Sequence, residues 1–288
     1  MAAQYDKSLI IHYYNIFTAV LMQSFQYYLD LINQQEEFTI ADDWGQGRSI
    51  FGGLAAALVL SKLKQSPAVS QKQLQSLSIN FCASLAADTA CSIRYEILSE
   101  GKSVVQLQGQ LIQGGQIKTQ VTACYGALRQ SSINIQYQPA NPKGSKENAM
   151  AMPFIPNVTP NFIQHIESHM LSKSIPFTGV DTKEVTGWMK FKEQPNNFDE
   201  VAIVALIDAW PPAVLQLLKK PAPASTITWN MEFIQPATKL KPNDILFYDC
   251  QVIQSQDGYA HTEAKVFHEN GELLVLSRQM VGVYDKRS

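Results

Sequence analysis

The sequence predicts an α+β fold made of two repeats, each a long helix wrapped by a curved antiparallel sheet. Three observations predict it. An apolar helical run, residues 53–63, is followed by four stretches with strand character. The same order recurs in the second half, from Asp199 onward. The turn glycines keep a common register: Gly101 and Gly258 lie 157 positions apart, and so do Gly114 and Gly271.

Each element has a local reason. In the first copy Leu77, Ile79 and Phe81 alternate with Ser76, Ser78 and Asn80, the period of a half-buried strand. Strands are predicted next over 92–98, 103–112 and 116–125, separated by Glu100-Gly101 and Gly114-Gly115. In the second copy residues 199–219 carry the helical pattern. Ile227, Trp229, Met231 and Phe233 then alternate with Thr226, Thr228, Asn230 and Glu232. Strands follow over 244–255, 259–268 and 272–284, with the hairpin dipeptides Asp257-Gly258 and Asn270-Gly271 between them. Phe81 and Phe233 are 152 positions apart, so the second copy holds five more residues before its first such turn. A leading strand is predicted ahead of each helix, at 37–41 and 185–192. An antiparallel sheet can then cover each apolar helix.

These elements divide the chain into an N-terminal extension or helix (1–35), a first domain (36–130), a connector (131–182) and a second domain (183–288). The connector holds Pro139, Pro142, Pro153, Pro156, Pro160 and Pro176, which leaves room for one short helix near 161–172. His165 and His169 within it stand at i and i+4. They lack the H-E-x-x-H pattern, so a solvated connector helix is expected and no metal site. Trp188, Trp210 and Trp229 are expected in the core.

Composition excludes several functions. Of 288 residues 45% are hydrophobic and 17% charged, so a sizeable core is expected. The net charge of −2 provides no field for nucleic acid. The four cysteines form no C-x-x-C pair, which predicts buried free thiols and a reducing, cytoplasmic setting. Residues 8–22 are apolar but include His12 and Asn15, too short and polar for the ~20 apolar residues of a membrane span. No small-residue cleavage site follows. Residues 1–21 read as an extension upstream of Met22, which a mass measurement of the native protein tests.

Four positions invite a chemical reading. Asp208 follows the apolar run 201–207, where an idle charge is costly. Pro211 and Pro212 deny donors to the carbonyls of Ile207 and Asp208, so the helix should kink or restart just after Asp208. Asp208 is therefore either a cap for that restart or a general base. By alternation Thr226 falls on the polar face of its strand, as an ordinary exposed threonine or as a hydroxyl that touches water. Gln279 has the same two readings. Gly52-Gly53 opens an alanine-rich helix, whose first N–H groups lack internal partners. The pair serves either to let a ligand approach those groups or to let helix and sheet pack closely. No G-x-S-x-G, G-x-x-x-x-G-K-[ST] or G-x-G-x-x-G is present, which removes support for a serine nucleophile elbow, a P-loop and a dinucleotide fingerprint.

Three segments carry a family resemblance: Arg48-Ser49-Ile50-Phe51-Gly52-Gly53, Ile207-Asp208-Ala209-Trp210-Pro211-Pro212, and the stretch from Ser225 to Pro236 that ends in Phe233-Ile234-Gln235-Pro236. In order and spacing, from about Phe38 to Tyr284, they resemble the acyl-CoA thioesterase II family, whose fold is a double hot-dog. The resemblance implies hydrolysis of acyl-CoA to fatty acid and CoA by direct water attack, with no cofactor and no covalent intermediate. It also implies that copies associate further. It assigns the water-holding trio to Asp208, Thr226 and Gln279, and places oxyanion donors at Gly52, Gly53 and Leu54. The family sets its Gln three residues after a Ser, which here is Met280, and Gln279 lies one residue earlier. A one-residue shift turns a strand side chain to the other face unless a bulge intervenes. That displacement keeps a non-catalytic acyl-CoA-binding protein as an alternative. An enoyl-CoA hydratase of the same fold is a further one, although the His expected five residues after the helix Asp is here Ala213.

Overall fold

The structure, a computed structural model, describes residues 22–138, 144–172, 175–234 and 239–285. The proposed extension, 1–21, lies outside the described residues. Helix α1 spans Phe25–Gln34, with the Ser24 hydroxyl capping its first turn at the Tyr27 N–H. Strands β1 (Glu37–Phe38), β2 (Gly45–Gln46) and β3 (Ser49–Ile50) lead to α2 (Gly52–Lys64). Then come β4 (Gln73–Phe81), β5 (Cys91–Glu100), β6 (Val104–Gln113) and β7 (Gln116–Gly126). Two short strands follow, β8 (Met150–Ala151) and β9 (Ile166–Met170). The second half runs β10 (Glu184–Phe191), α3 (Glu200–Ile207), β11 (Ala224–Phe233), β12 (Leu246–Gln256), β13 (Tyr259–His268) and β14 (Leu273–Val283).

Twelve strands form one antiparallel sheet in the order β1-β5-β6-β7-β4-β11-β14-β13-β12-β10-β9-β8. The seam between the halves is β4 against β11, where Ile79 faces Trp229 and Leu77 faces Met231. Helix α2 lies on one face, packed on β6 and β7, and Gly109 of β6 is the point of closest approach. A Cβ there would stand 2.5 Å from Val59. Helices α2 and α3 touch along their lengths and run in opposite directions. Lys64 at the end of α2 pairs with Asp199 (2.7 Å) and Glu200 (2.9 Å) at the start of α3, while the start of α2 meets the end of α3. Among the described residues no helix is long and apolar enough to cross a membrane.

Three expectations need correction. The second helix is not long: α3 stops at Ile207 and a separate 3-10 turn forms at Ala213–Leu217. Pro211 and Pro212 forbid a continuous helix. The connector helix near 161–172 is a 3-10 turn, Asn161–Gln164, followed by strand β9. Ile166, Ser168 and Met170 turn inward in alternation, a period of two that the i, i+4 histidines concealed. His165 is accordingly not solvated: it is buried, stacked on Trp44 at 4.1 Å and 3.2 Å from Asp43. Finally, Cys82 is exposed and Cys124 half-buried, so only Cys91 and Cys250 are buried thiols.

Candidate active site

The start of α2, the end of α3 and the inner faces of β11 and β14 converge on Asp208. Asp199 starts α3 by accepting the N–H groups of Val201 and Ala202. Seven buried apolar residues then carry the chain to Asp208, the C-terminal cap residue. The 3-10 restart takes Pro212 as its own cap and receives no side-chain bond, so Asp208 caps nothing there. Its carboxylate accepts instead from the Gly53 N–H and from the Gln279 amide, with Nε2 3.3 Å from Oδ1. Burial raises the Asp208 carboxyl to about 7, against the downward pull of the Gly53 and Gln279 donors. A carboxylate poised near neutrality can take a proton from water and hand it on.

Gln279 reaches Asp208 because its strand register is regular where it counts. Trp229 and Gln279 are cross-strand partners, and Trp229 is fully buried on the helix-bearing side. Gln279 therefore shares that side with Ser277 and Val281. Trp229 Nε1 donates to the Ser277 hydroxyl at 2.8 Å, which pins the two strands beside the site.

Thr226 does not lie where alternation placed it. The β11–β14 pairing slips between Thr226 and Thr228, with Ile227 as the extra residue. Thr228 faces Met280, but Thr226 faces the buried Val281. The bulge thus turns Thr226 onto the face of Trp229 and Gln279. Its hydroxyl lies 3.5 Å from Gln279 Oε1, at the outer limit of a hydrogen bond. Thr226, Gln279 and Asp208 form a chain of contacts.

The glycine pair divides its work. The helical ladder of α2 opens with the Ala55 N–H donating to Phe51, so the N–H groups of Gly52, Gly53 and Leu54 precede it. The Gly53 N–H stands beside Asp208 and pulls its carboxyl down. A Cβ on Gly53 would stand 2.5 Å from Phe51 Cζ and 2.7 Å from the Ala205 carbonyl oxygen. Glycine there lets α2 and α3 pack closely. A Cβ on Gly52 would stand 3.0 Å from Asp208 Oδ2 and from the Phe81 ring. Gly52 thus borders the carboxylate, with its N–H and that of Leu54 at the positive end of the helix.

Sequence reasoning missed the neighbours. Phe81 borders the site across from Asp208 at Gly52. Phe51 is clamped between Phe162 (4.1 Å) and Trp44 (6.2 Å), which holds the start of α2 in place. Tyr248, stacked on Trp210 at 5.6 Å, feels the Asp208 charge. Their aromatic character marked them only as core. Away from this site, Asp244, His268 and Glu269 bring ligand atoms within 4.8 Å of one another. His268 Nδ1 accepts the Asn270 N–H, and its Nε2 lies 3.2 Å from Asp244.

Sequence profiles decide the family. Residues 40–126 match the N-terminal domain of acyl-CoA thioesterases, and residues 146–283 match the C-terminal domain. The chain belongs to the acyl-CoA thioesterase family. Solved structures agree in fold. A conserved protein of unknown function with the hot-dog fold, from Alicyclobacillus acidocaldarius, is 21% identical with a TM-score of 0.73, covering 87% of this chain and 93% of its own. A candidate thioesterase II from Thermobifida fusca is 18% identical with a TM-score of 0.71, covering 86% and 92%. An acyl-CoA thioesterase II from Mycobacterium marinum is 20% identical with a TM-score of 0.63, covering 83% and 92%. No curated protein matches the chain.

Proposed function

We propose that this thioesterase-family chain hydrolyses acyl-CoA to a fatty acid and CoA by direct attack of water, with Asp208 as general base. The observation that carries the reading is the Asp208 carboxylate itself. It sits at the end of α3 without capping the 3-10 restart, raised to about 7 and held by Gly53 and Gln279. In this reading Asp208 takes a proton from water as the water's oxygen bonds to the thioester carbon. Gln279 and Thr226 orient that water. The Gly52 and Leu54 N–H groups receive the developing oxyanion. Collapse of the tetrahedral intermediate expels the CoA thiolate, and the proton on Asp208 goes to the sulfur.

The site draws on both halves, α2 from one and α3, β11 and β14 from the other. We infer that 36–130 and 183–288 are copies of one hot-dog unit, of which neither completes the site alone. The contact of Gln279 with Asp208 supports the catalytic reading over a non-catalytic binding protein. Ala213 in place of His gives a hydratase no second acid–base group.

Release of free thiol from a series of acyl-CoA lengths tests the activity. The expected result is turnover of at least one chain length without added cofactor. Acyl-CoA binding without thiol release, or hydration of an enoyl-CoA, would contradict it. Within the trio, Gln279→Ala should lower kcat by about 10–100-fold, the worth of a hydrogen bond to a charged group. Thr226→Ala should cost less, about tenfold or under, because it contacts Asp208 only through Gln279. Both losses should fall on kcat, and a change confined to KM would remove these residues from the chemical step.

A further inference from the structure

The connector belongs to neither half, yet its 3-10 turn Asn161–Gln164 packs against the start of α2. In a 3-10 turn side chains three apart eclipse, so Phe162 and His165 leave it on one side. Each takes a ring of the first half. Phe162 stacks on Phe51 at 4.1 Å and 9°, and His165 stacks on Trp44 at 4.1 Å and 6°. Trp44 and Phe51 are themselves nearly parallel, at 6.2 Å and 19°. The Phe51 N–H also donates to the Trp44 carbonyl at 2.9 Å. All four side chains are buried. Phe51 is the N-terminal cap residue of α2, and Gly52 follows it directly.

The stack is anchored from three directions. Asn161 Nδ2 donates to Asp42, at 3.0 Å to its carbonyl and 2.8 Å to Oδ2. Just past β10, the Lys192 N–H donates to the His165 carbonyl at 2.9 Å and Lys192 Nζ to the Ile163 carbonyl at 3.0 Å. Ahead of α1, the Gln23 carbonyl accepts Trp44 Nε1 at 2.7 Å. His165 Nε2 lies 3.2 Å from Asp43 Oδ2. Yet neither Nε2 nor Asp43 Oδ1 has a hydrogen-bond partner among the described residues. Burying such groups is costly. A turn that only filled space would do so more cheaply with aliphatic side chains.

We propose that Phe162 and His165 are positioning residues for the oxyanion side of the site: their rings fix Phe51, and through it the aim of the Gly52 and Leu54 N–H groups. The inference rests on the hydrolytic reading above, in which those groups receive the oxyanion. Phe162 acts on Phe51 directly and His165 acts through Trp44. A tilt of the α2 start would also carry the Gly53 N–H away from Asp208, so the oxyanion side and the base are set together. The connector thus supplies a third part of the site, beside the two halves. Small shifts matter here, because a misplacement of ~1 Å costs up to about 10²-fold in rate.

Steady-state thiol release by Phe162→Leu and His165→Leu tests this, since leucine keeps apolar bulk but has no flat ring. Each should lower kcat by about 10–100-fold with little change in KM, because the oxyanion forms only in the transition state. The rising limb of kcat/KM at about pH 7 should also move to higher pH, because Asp208 loses part of the Gly53 donor that pulls its carboxyl down. Tyr248, the other ionisable group that feels Asp208, stays neutral throughout, since burial holds its phenol well above the ordinary value. His165→Phe puts a ring back on Trp44 and should return kcat and the limb to near wild type. Leucine variants with wild-type kcat and an unmoved limb would overturn the proposal. Leucine variants that only melt earlier, or that do not fold, would overturn it too, by making the turn a structural prop. A wild type that releases no thiol from any acyl-CoA would instead contradict the hydrolytic reading itself, and this inference with it.

Discussion

Asp208→Asn should lower the rate of acyl-CoA hydrolysis by about 10²–10⁴-fold, the usual worth of a positioned acid–base group. The change keeps the shape and one acceptor oxygen but removes the base. The loss should fall on kcat with little change in KM, because the interaction is made in the transition state. Stability gives an independent sign. Folded Asp208 holds its proton up to about pH 7, whereas an unfolded aspartate loses it near pH ~4. Between those values the folded state binds the extra proton, so this group's contribution to stability falls as pH rises through the window. Wild type should therefore lose stability relative to Asp208→Asn as pH rises from about 4 to about 7. A folded Asp208→Asn protein with wild-type turnover would leave Thr226 and Gln279 with no base to serve.

Gly53→Val should be chiefly a folding defect. Its Cβ would meet the Phe51 ring at 2.5 Å and the Ala205 carbonyl oxygen at 2.7 Å. The ring is held between Phe162 and Trp44, and the carbonyl belongs to the backbone of α3, so neither can swing aside. Overpacking of this kind costs about 3 kcal/mol or more. In a chain of this size that corresponds to a drop of roughly 6–12 °C in Tm. Turnover should fall with it, because Gly53 also holds the Asp208 carboxylate. An unchanged Tm with lost turnover would instead mean that the glycine clears space for the ligand.

Much of the fold was legible because it is written locally. Asp257-Gly258 and Asn270-Gly271 bring positive φ where tight hairpins need it: 55° and 81° at the first pair and 89° at Gly271. Alternation in β4, β6 and β13 follows directly from one buried face. The site was legible only in part. Asp208 stood out as a charge at the end of an apolar run, and Pro211-Pro212 announced the break after it. Thr226 was placed on the wrong face because the Ile227 bulge has no local signature; it lies in the pairing with β14, just before β11 begins to pair with β4 at Thr228. The Gly53 N–H bond to Asp208 joins residues 155 positions apart and depends on how α2 and α3 cross. Strand β9 was hidden because the i, i+4 spacing of His165, just before it, and His169, within it, fits either period.

The pH dependence of kcat/KM, measured for wild type beside Asp208→Asn, tests the central claim most directly, because it reports the essential groups of the free enzyme. Wild type should gain activity as pH rises and level off above about 7, where the carboxylate is ionised. Asp208→Asn should be slow throughout and lack that limb. A flat wild-type profile across pH 5–9, or the same limb persisting in Asp208→Asn, would contradict Asp208 as the base.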